Sequence, residues 1–518
     1  MKPWFKAYQI LGLRESLEPY PEVPLYHFLE ESARNFPNST AVTYLEKKMT
    51  YSEMLDAVNR LANGFSEHLS KGDRVLITLR NCPQLLIAEL AALKCGASAV
   101  LVSPLQPEKE LKDIAEKTDP KIVVGEKNFS ESGIFVETKP SNFMESDDFW
   151  NLISSSQPDP PDIEINPKED VAVILFTGGV TGVPKGVMLT HYNLTTNVLQ
   201  VLPWLLGGAA EAVRGSGSVL LASPIFHSYG HWGMHVGIYW AFNLLIVSDP
   251  RNYDEILDYM KKYSPWVTVG VPGQYMKLIQ REIEGLWTIS VSGSAPLPKR
   301  TAKEYEKKAG IPIVEGYGLT ETSPVTHINI ASIARFLGLD APDKTGSIGV
   351  PVPDTDVRVV REDGSEAEVG EEGELQIKGP QVMKGYWNAE NPFIDGWLPT
   401  GDIAYMDEDG FFYIVDRVKD MINVSGYKVY SRVVEEVLHQ HPAVELAAVV
   451  GIPDKEKEGS ERVKAFVKLF DGASATPEEI REFCRERLPP YAVPVEVEIR
   501  ERLPQAETQK ILKRLLLQ

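Results

Sequence analysis

The sequence predicts an α/β protein in two parts. A large N-terminal domain holds two doubly wound α/β subdomains and a small β-rich subdomain, and a small α+β C-terminal domain follows. Three observations carry this. A chain of 518 residues is long enough for roughly two to four domains. Over its first two thirds, apolar strand-like runs alternate with helical patterns, the rhythm of parallel sheets covered on both faces. From about Gly346 the strands shorten and crowd together, and beyond residue 416 lies a compact tail long enough to be a domain.

Thr50-Tyr51-Ser52-Glu53 is a capping box, and Leu55, Val58, Leu61, Ala62 and Phe65 give the helix behind it one apolar face. Asp73–Leu79 reads as a buried strand, Pro83–Lys94 as a helix stopped by Gly96, and Ala99–Val102 as the next strand. Further strands are expected at Val171–Phe176, Ser218–Ala222, Leu244–Val247 and Val267–Val269. The stretch from Gly207 to Gly217 reads as a mobile surface loop. Turn signals at Asp363-Gly364 and Asp409-Gly410 mark the β-rich subdomain, about 346–416. In the tail, Thr476-Pro477-Glu478-Glu479 is a second capping box, with proline at the first helical position. The expected division is 1–416 and 417–518.

The composition narrows the function. A formal charge of −20 argues against nucleic-acid binding, which needs a basic footprint, but leaves room for a single nucleotide. Three cysteines, Cys82, Cys95 and Cys484, lack metal-ligand spacing, and so sparse an odd count suggests a reducing compartment. No apolar run reaches the length of a membrane span. Trp4, Phe5, Tyr8, Ile10 and Leu11 leave weak peripheral membrane contact open, although a packed N-terminal arm is the expected arrangement. The expected location is the cytoplasm, and oligomeric state is left open.

The strongest local signal runs Phe176-Thr177-Gly178-Gly179-Val180-Thr181-Gly182-Val183-Pro184-Lys185-Gly186. Glycines let consecutive amides point at phosphate oxygens, threonines add hydroxyl donors, and a lysine supplies charge. The segment is not a Walker loop, because Gly186 stands where the helix-opening hydroxyl would hold magnesium. It resembles instead the phosphate loop of the acyl-adenylate-forming superfamily. That superfamily includes acyl-CoA synthetases, coumarate-CoA ligases, beetle luciferases and peptide-synthetase adenylation domains. Val180 replaces the first of the family's paired threonines.

Other motifs follow in the family's order and extend the resemblance from Tyr51 to Lys510. In Glu315-Gly316-Tyr317-Gly318-Leu319-Thr320-Glu321, the resemblance implies that Tyr317 lies along adenine, Thr320 contacts the α-phosphate and Glu321 ligates Mg²⁺. Ser294, Ala295 and Pro296 offer small residues against which adenine packs. Asp402, in Thr400-Gly401-Asp402, and Arg417 match the ribose contacts. His227, in Pro224-Ile225-Phe226-His227-Ser228-Tyr229-Gly230, matches the aromatic that borders the acyl pocket, a wall residue and not a proton carrier. Tyr229, His231, Trp232, Gly270, Val271, Gly316 and Thr322 are further pocket candidates. Lys510 matches the terminal lysine, with Gln509 in place of the usual glycine. Lys419 falls at the hinge, and Gly426 matches the glycine beside which the pantetheine thiol enters. Ser431 and Val433 stand where the family usually has proline and glutamate.

Adenylation and thioester formation need different surroundings at one carbon. A cation between carboxylate and α-phosphate lowers the first barrier, and a small domain that swings aside admits the thiol. The resemblance therefore implies an ATP-, Mg²⁺- and CoA-dependent ligase of a carboxylic acid, and the Thr-Gly-Gly loop resembles fatty acyl-CoA synthetases more than aryl ones. A coumarate-type ligase, a freestanding ligase that loads a carrier protein, and a binding protein that has lost catalysis stand as alternatives.

Overall fold

The computed structural model describes residues 2–10, 12–131, 133–177, 184–206, 210–457 and 459–517, with the side chain of residue 210 left aside. Apolar runs without alternation become two large sheets. One takes the order Gly385–Tyr386, Lys185–Thr190, Val171–Thr177, Ser98–Leu101, Arg74–Thr78, Ile122–Gly125, Ile134–Glu137. Its last five strands are parallel and its first two add antiparallel. The other runs Val350–Pro351, Val325–Ile328, Ile313–Gly318, Ile289–Ser292, Val267–Gly270, Ser218–Leu221, Asn243–Ile246, Thr40–Tyr44, Lys47–Thr50. It is parallel from Ile313–Gly318 to Thr40–Tyr44 and antiparallel at both edges.

The expected elements form where local chemistry asks for them. Thr50 caps Tyr51–Ser66 with a complete capping box, as Thr476 caps Pro477–Arg485. The helix Pro83–Lys94 buries every residue, mostly apolar as suits a helix enclosed in a large core, with Gln84, Glu89 and Lys94 as its polar members. Ser228–Tyr239 is nearly as enclosed. The N-terminal arm packs: Trp4 lies against Phe412 with ring centroids 5.9 Å apart, and Tyr8 against Trp204 at 5.0 Å. Those two rings are inside the protein and not offered to a membrane; residue 11 lies outside the described residues.

One expectation fails. The described part of the stretch read as a mobile loop contains a helical turn, Ala210–Val213, and is anchored. Arg214 is buried, paired with Glu31 at 3.1 Å and lying under the ring of Tyr239. Gly217 packs on Phe242 so closely that a Cβ would meet the ring at 2.8 Å. Residues 207–209 lie outside the described residues.

The β-rich part is a four-stranded antiparallel sheet, Asp356–Val360, Gly373–Lys378, Leu398–Met406, Phe412–Arg417. After the turn Val418–Asp420, the hairpin Ile422–Val424/Tyr427–Val429 leads to a three-stranded sheet, Val444–Pro453, Glu461–Leu469, Glu496–Ile499. Helices Ser431–Gln440 and Pro477–Arg485 cover it, and Ile422, Val434, Leu438, Val449, Val463, Ile480 and Cys484 form a core separate from the large one. Among the described residues no helix is long and apolar enough to cross a membrane.

Candidate active site

Strand ends and the loops after them converge in the cleft between the large part and the C-terminal part. Ile313–Gly318 ends in the motif loop, where Gly318 is required by space: a Cβ there would sit 1.8 Å from the Pro324 carbonyl oxygen. That close approach holds Thr320 and Glu321 on a single 3₁₀ turn, Thr320–Thr322. Tyr317 donates its hydroxyl to Asp402 Oδ2 at 2.6 Å, and Arg417 Nε donates to Asp402 Oδ1 at 3.0 Å. Asp402 is buried, and pairing with Arg417 compensates its charge. Its backbone N–H donates to Thr400 Oγ1 at 3.1 Å, so the Thr-Gly-Asp turn is braced from within. Each carboxylate oxygen has a second lone pair, which leaves Asp402 able to accept hydroxyls as well.

Glu321 Oε1 accepts from the Tyr386 hydroxyl at 2.8 Å, and Lys185 Nζ stands 4.8 Å from the centre of the Tyr386 ring. Thr177 and Lys185, which flank the glycine-rich segment in sequence, are cross-strand partners. Gly178, Gly179, Thr181 and Gly182 lie outside the described residues. Thr320 Oγ1 is 3.4 Å from Ser228 Oγ, which ties the phosphate side of the cleft to the Pro224–Gly230 segment. Ser228 was read only as a member of its segment, and Tyr386 escaped the sequence reading; Tyr386 sits on a two-residue strand that pairs with Lys185–Thr190, a long-range pairing with no local signal.

A Cβ at Gly316 would meet only the His327 and Ser292 carbonyl oxygens, at 3.6 and 3.9 Å, while Ser294, Ala295 and Pro296 form an accessible turn with Ser294 at φ +69°. Together they make a low wall beside Tyr317. Glu315 is buried beneath it with Leu297 N–H 3.4 Å from Oε1, and burial pushes its carboxyl up to about 7 against the pull of Arg432. It is a floor residue and not an accessible ligand.

His227 precedes the helix Ser228–Tyr239, its ring centroid 5.0 Å from that of Phe226. Burial pushes its pKa down to about 4, so it is neutral at pH 7, as suits a wall residue. Other pocket candidates sort differently. Tyr229 gives its hydroxyl to the Val291 carbonyl at 2.9 Å and covers Gly293. Thr322 is spent on the turn, donating to the Pro324 carbonyl at 2.5 Å, and is fully buried. His231 lies wholly inside the protein, bonded to Glu89 at 2.8 Å. Neither Thr322 nor His231 lines an accessible wall. Gly270 and Val271 are buried at the start of Pro272–Leu278, and Trp232 is buried as well.

The C-terminal part presents Lys510 to this cleft. The loop Pro504–Leu512 folds on itself, with Ala506 N–H donating to the Lys510 carbonyl at 2.9 Å and Leu512 N–H to the Pro504 carbonyl at 2.8 Å. It is pinned to the large part where Ser103 Oγ donates to Glu507 Oε1 and where the Gln509 side chain covers Gly273. Lys510 is open to water at the cleft mouth but crowded by protein. That crowding, with the charge of Arg417, pulls its pKa down to about 8 against the opposing charge of Asp402. Gln509 stands at φ +60°, the left-handed conformation that favours glycine. Behind the loop, Glu445 is buried between Lys277 of the large part and Lys468, and Arg300 donates to the His441 carbonyl at 3.2 Å.

Gly426 is not brought to Lys510. It lies exposed at the tip of a hairpin, with Ser425 at φ +54° and Gly426 at φ +94°, and Lys428 beside it pairs with Glu362. Lys419 is exposed on the turn that follows Arg417. One arrangement therefore holds Lys510 at the cleft and leaves Gly426 exposed at a hairpin tip.

The chain is similar to known proteins over nearly its whole length. Residues 29–387 match the family described as AMP-binding enzyme, and residues 433–510 match the AMP-binding enzyme C-terminal domain. A long-chain-fatty-acid–CoA ligase from Bacillus subtilis is 37% identical over 100% of this chain and 98% of its own. One of the same description from Yersinia pestis is 32% identical, covering 99% of this chain and 97% of its own. Among solved structures, o-succinylbenzoate coenzyme A synthetase from Bacillus subtilis, in complex with ATP and magnesium ion, superposes with a TM-score of 0.81 at 26% identity. That match covers 96% of this chain and all of the other.

Proposed function

We propose, from the premise that the chain belongs to the AMP-binding enzyme family, that it is an ATP-dependent fatty acyl-CoA ligase acting on long-chain acids. The observation that carries this is the meeting of Asp402, Tyr317 and Arg417 with Lys510 of the C-terminal part in one cleft. Two relatives matched over nearly their whole length, both described as long-chain-fatty-acid–CoA ligases, supply the acyl class. They weigh against the aryl and carrier-protein alternatives.

In the first half-reaction a carboxylate oxygen bonds to the α-phosphorus of ATP as the bond to pyrophosphate breaks. Asp402 accepts the ribose hydroxyls, Arg417 steadies Asp402, and Tyr317 borders the base. Thr320 and Lys185 donate to phosphate oxygens. Lys510 places its charge where carboxylate and phosphate repel each other. Glu321 offers the hard oxygen that suits Mg²⁺: a half-buried carboxylate whose Oε1 is oriented by Tyr386. When bound, the ion offsets phosphate charge. In the second half-reaction the CoA sulfur bonds to the acyl carbon, AMP leaves with the former carboxylate oxygen, and the thiol proton passes to solvent. That step needs Lys510 withdrawn and Gly426 brought in, a rotation about the turn at Lys419 between the domains 1–416 and 417–518.

The test is pyrophosphate release with ATP and Mg²⁺ across acids from acetate through long-chain fatty acids to benzoate and coumarate, with and without CoA. Turnover confined to long-chain acids and dependent on CoA is the expected result. Turnover confined to aryl acids, or indifferent to CoA, overturns the reading.

A further inference from the structure

Glu89 lies in the middle of Pro83–Lys94, a helix that packs on the strands Arg74–Thr78 and Ser98–Leu101. His231 and His235 lie four residues apart on Ser228–Tyr239, which packs on Ser218–Leu221 and Asn243–Ile246 of the other large sheet. Spacing of four puts both imidazoles on one helix face, and that face meets Glu89. His231 Nε2 is 2.8 Å and His235 Nε2 2.9 Å from the same oxygen, Glu89 Oε1, and the two rings are 4.5 Å apart. All three side chains are almost wholly buried.

The cluster is more polar than its hydrogen bonds can use. Among the described residues, Glu89 Oε2 and His235 Nδ1 are buried and take no hydrogen bond. A protein core of this size rarely leaves a carboxylate oxygen without a partner. Three potential ligand atoms, one from each residue, lie within 4.8 Å of one another. Two ligands bound about 2.1 Å from one ion at angles near 90–110° stand about 3.0–3.4 Å apart. The observed N···O distances of 2.8 and 2.9 Å need to open by only a few tenths of an ångström. Rotation of the carboxylate then offers Oε2 to the ion as well.

We propose that Glu89, His231 and His235 form a structural site for one first-row divalent transition ion, Zn²⁺ foremost, which ties the two large subdomains together. Two imidazoles and a carboxylate suit such an ion, whereas Mg²⁺ and Ca²⁺ prefer oxygen ligands throughout. The site is separate from the nucleotide cleft: His231 lies one helical turn beyond His227 and faces the neighbouring helix. Its seclusion means that the ion enters as the subdomains assemble and leaves only when they open.

The test uses the full chain, produced without a histidine tag in zinc-supplemented medium and then dialysed against EDTA. Zinc is counted by mass spectrometry after denaturation, and a Co²⁺-loaded sample is examined for visible d–d bands. The expected result is about one zinc per chain that survives native dialysis, with Co²⁺ bands of nitrogen and oxygen ligation. His231→Gln/His235→Gln, checked for folding by circular dichroism, is expected to retain less than about a tenth of the metal. Wild-type protein with neither zinc nor Co²⁺ bands overturns the site, whatever the variant does. Equal zinc in wild type and folded variant overturns it too, because the ion then lies elsewhere.

Discussion

Replacing Lys510 by alanine separates the two half-reactions if the C-terminal part moves. A lysine charge about 4 Å from the reacting oxygens, at an effective dielectric near 20, is worth about 4 kcal/mol. Exposure at the cleft mouth reduces this to about 3 kcal/mol, or roughly a hundred- to a thousandfold in rate. Acyl-AMP formation, followed as pyrophosphate release in single turnover, should fall by that factor. Thioester formation from supplied acyl-AMP and CoA should change less than about threefold. The pH profile adds a second reading. The protonated lysine is the working form and its pKa is pulled down to about 8, so kcat/KM for adenylation should decline as pH rises through about 8. ATP phosphates favour the charged form, so the kcat limb should lie higher. Lys510→Arg should remove the limb from the accessible range. Equal loss in both half-reactions, or an unmoved limb in Lys510→Arg, refutes the role and the domain movement built on it.

Asp402→Asn removes the charge that pairs with Arg417 and replaces one of the two oxygens accepting from Tyr317 and Arg417 by a donor; KM for ATP should rise roughly 10- to 100-fold. Discrimination between ATP and its 3′-deoxy analogue should shrink with it, measured by steady-state kinetics. Glu321→Gln should raise the Mg²⁺ needed for half-maximal pyrophosphate release at least about tenfold, as a Mg²⁺ titration would read. Glu445→Gln weakens the buried link between Lys277 and Lys468, so adenylation should slow roughly tenfold while the thioester half-reaction is spared. Gln509→Gly relieves a left-handed residue and should stabilise the C-terminal part by roughly 0.5–1 kcal/mol in urea unfolding.

Legibility in the sequence followed the range of the interactions. Both capping boxes lie within four residues, and both form. The helix Pro83–Lys94 was equally local, opened by its proline and stopped by Gly96, and it forms over those residues. Arg214 gave no such warning, because its partner Glu31 is 183 positions away, and a glycine-rich stretch was read as loose when it is anchored. Tyr386, 65 positions from Glu321, and Glu89, 142 positions from His231, were hidden for the same reason. A histidine next to a recognised motif reads as part of its pocket until the fold shows which way the helix turns it.

Position 509 shows how a departure from a motif should be weighed. From sequence, glutamine for glycine looks like a lost feature. In the fold, the backbone at Gln509 keeps the positive φ that glycine would adopt freely, and the side chain is put to use covering Gly273. The geometry that aims Lys510 is thus retained at the cost of some backbone strain, and what changes is the surface beside the lysine. Its amide nitrogen Nε2 is buried without a partner among the described residues, a donor next to the buried start of Pro272–Leu278. A motif substitution that preserves the conformation while adding a group to the site alters what the site contacts before it alters whether the chemistry proceeds.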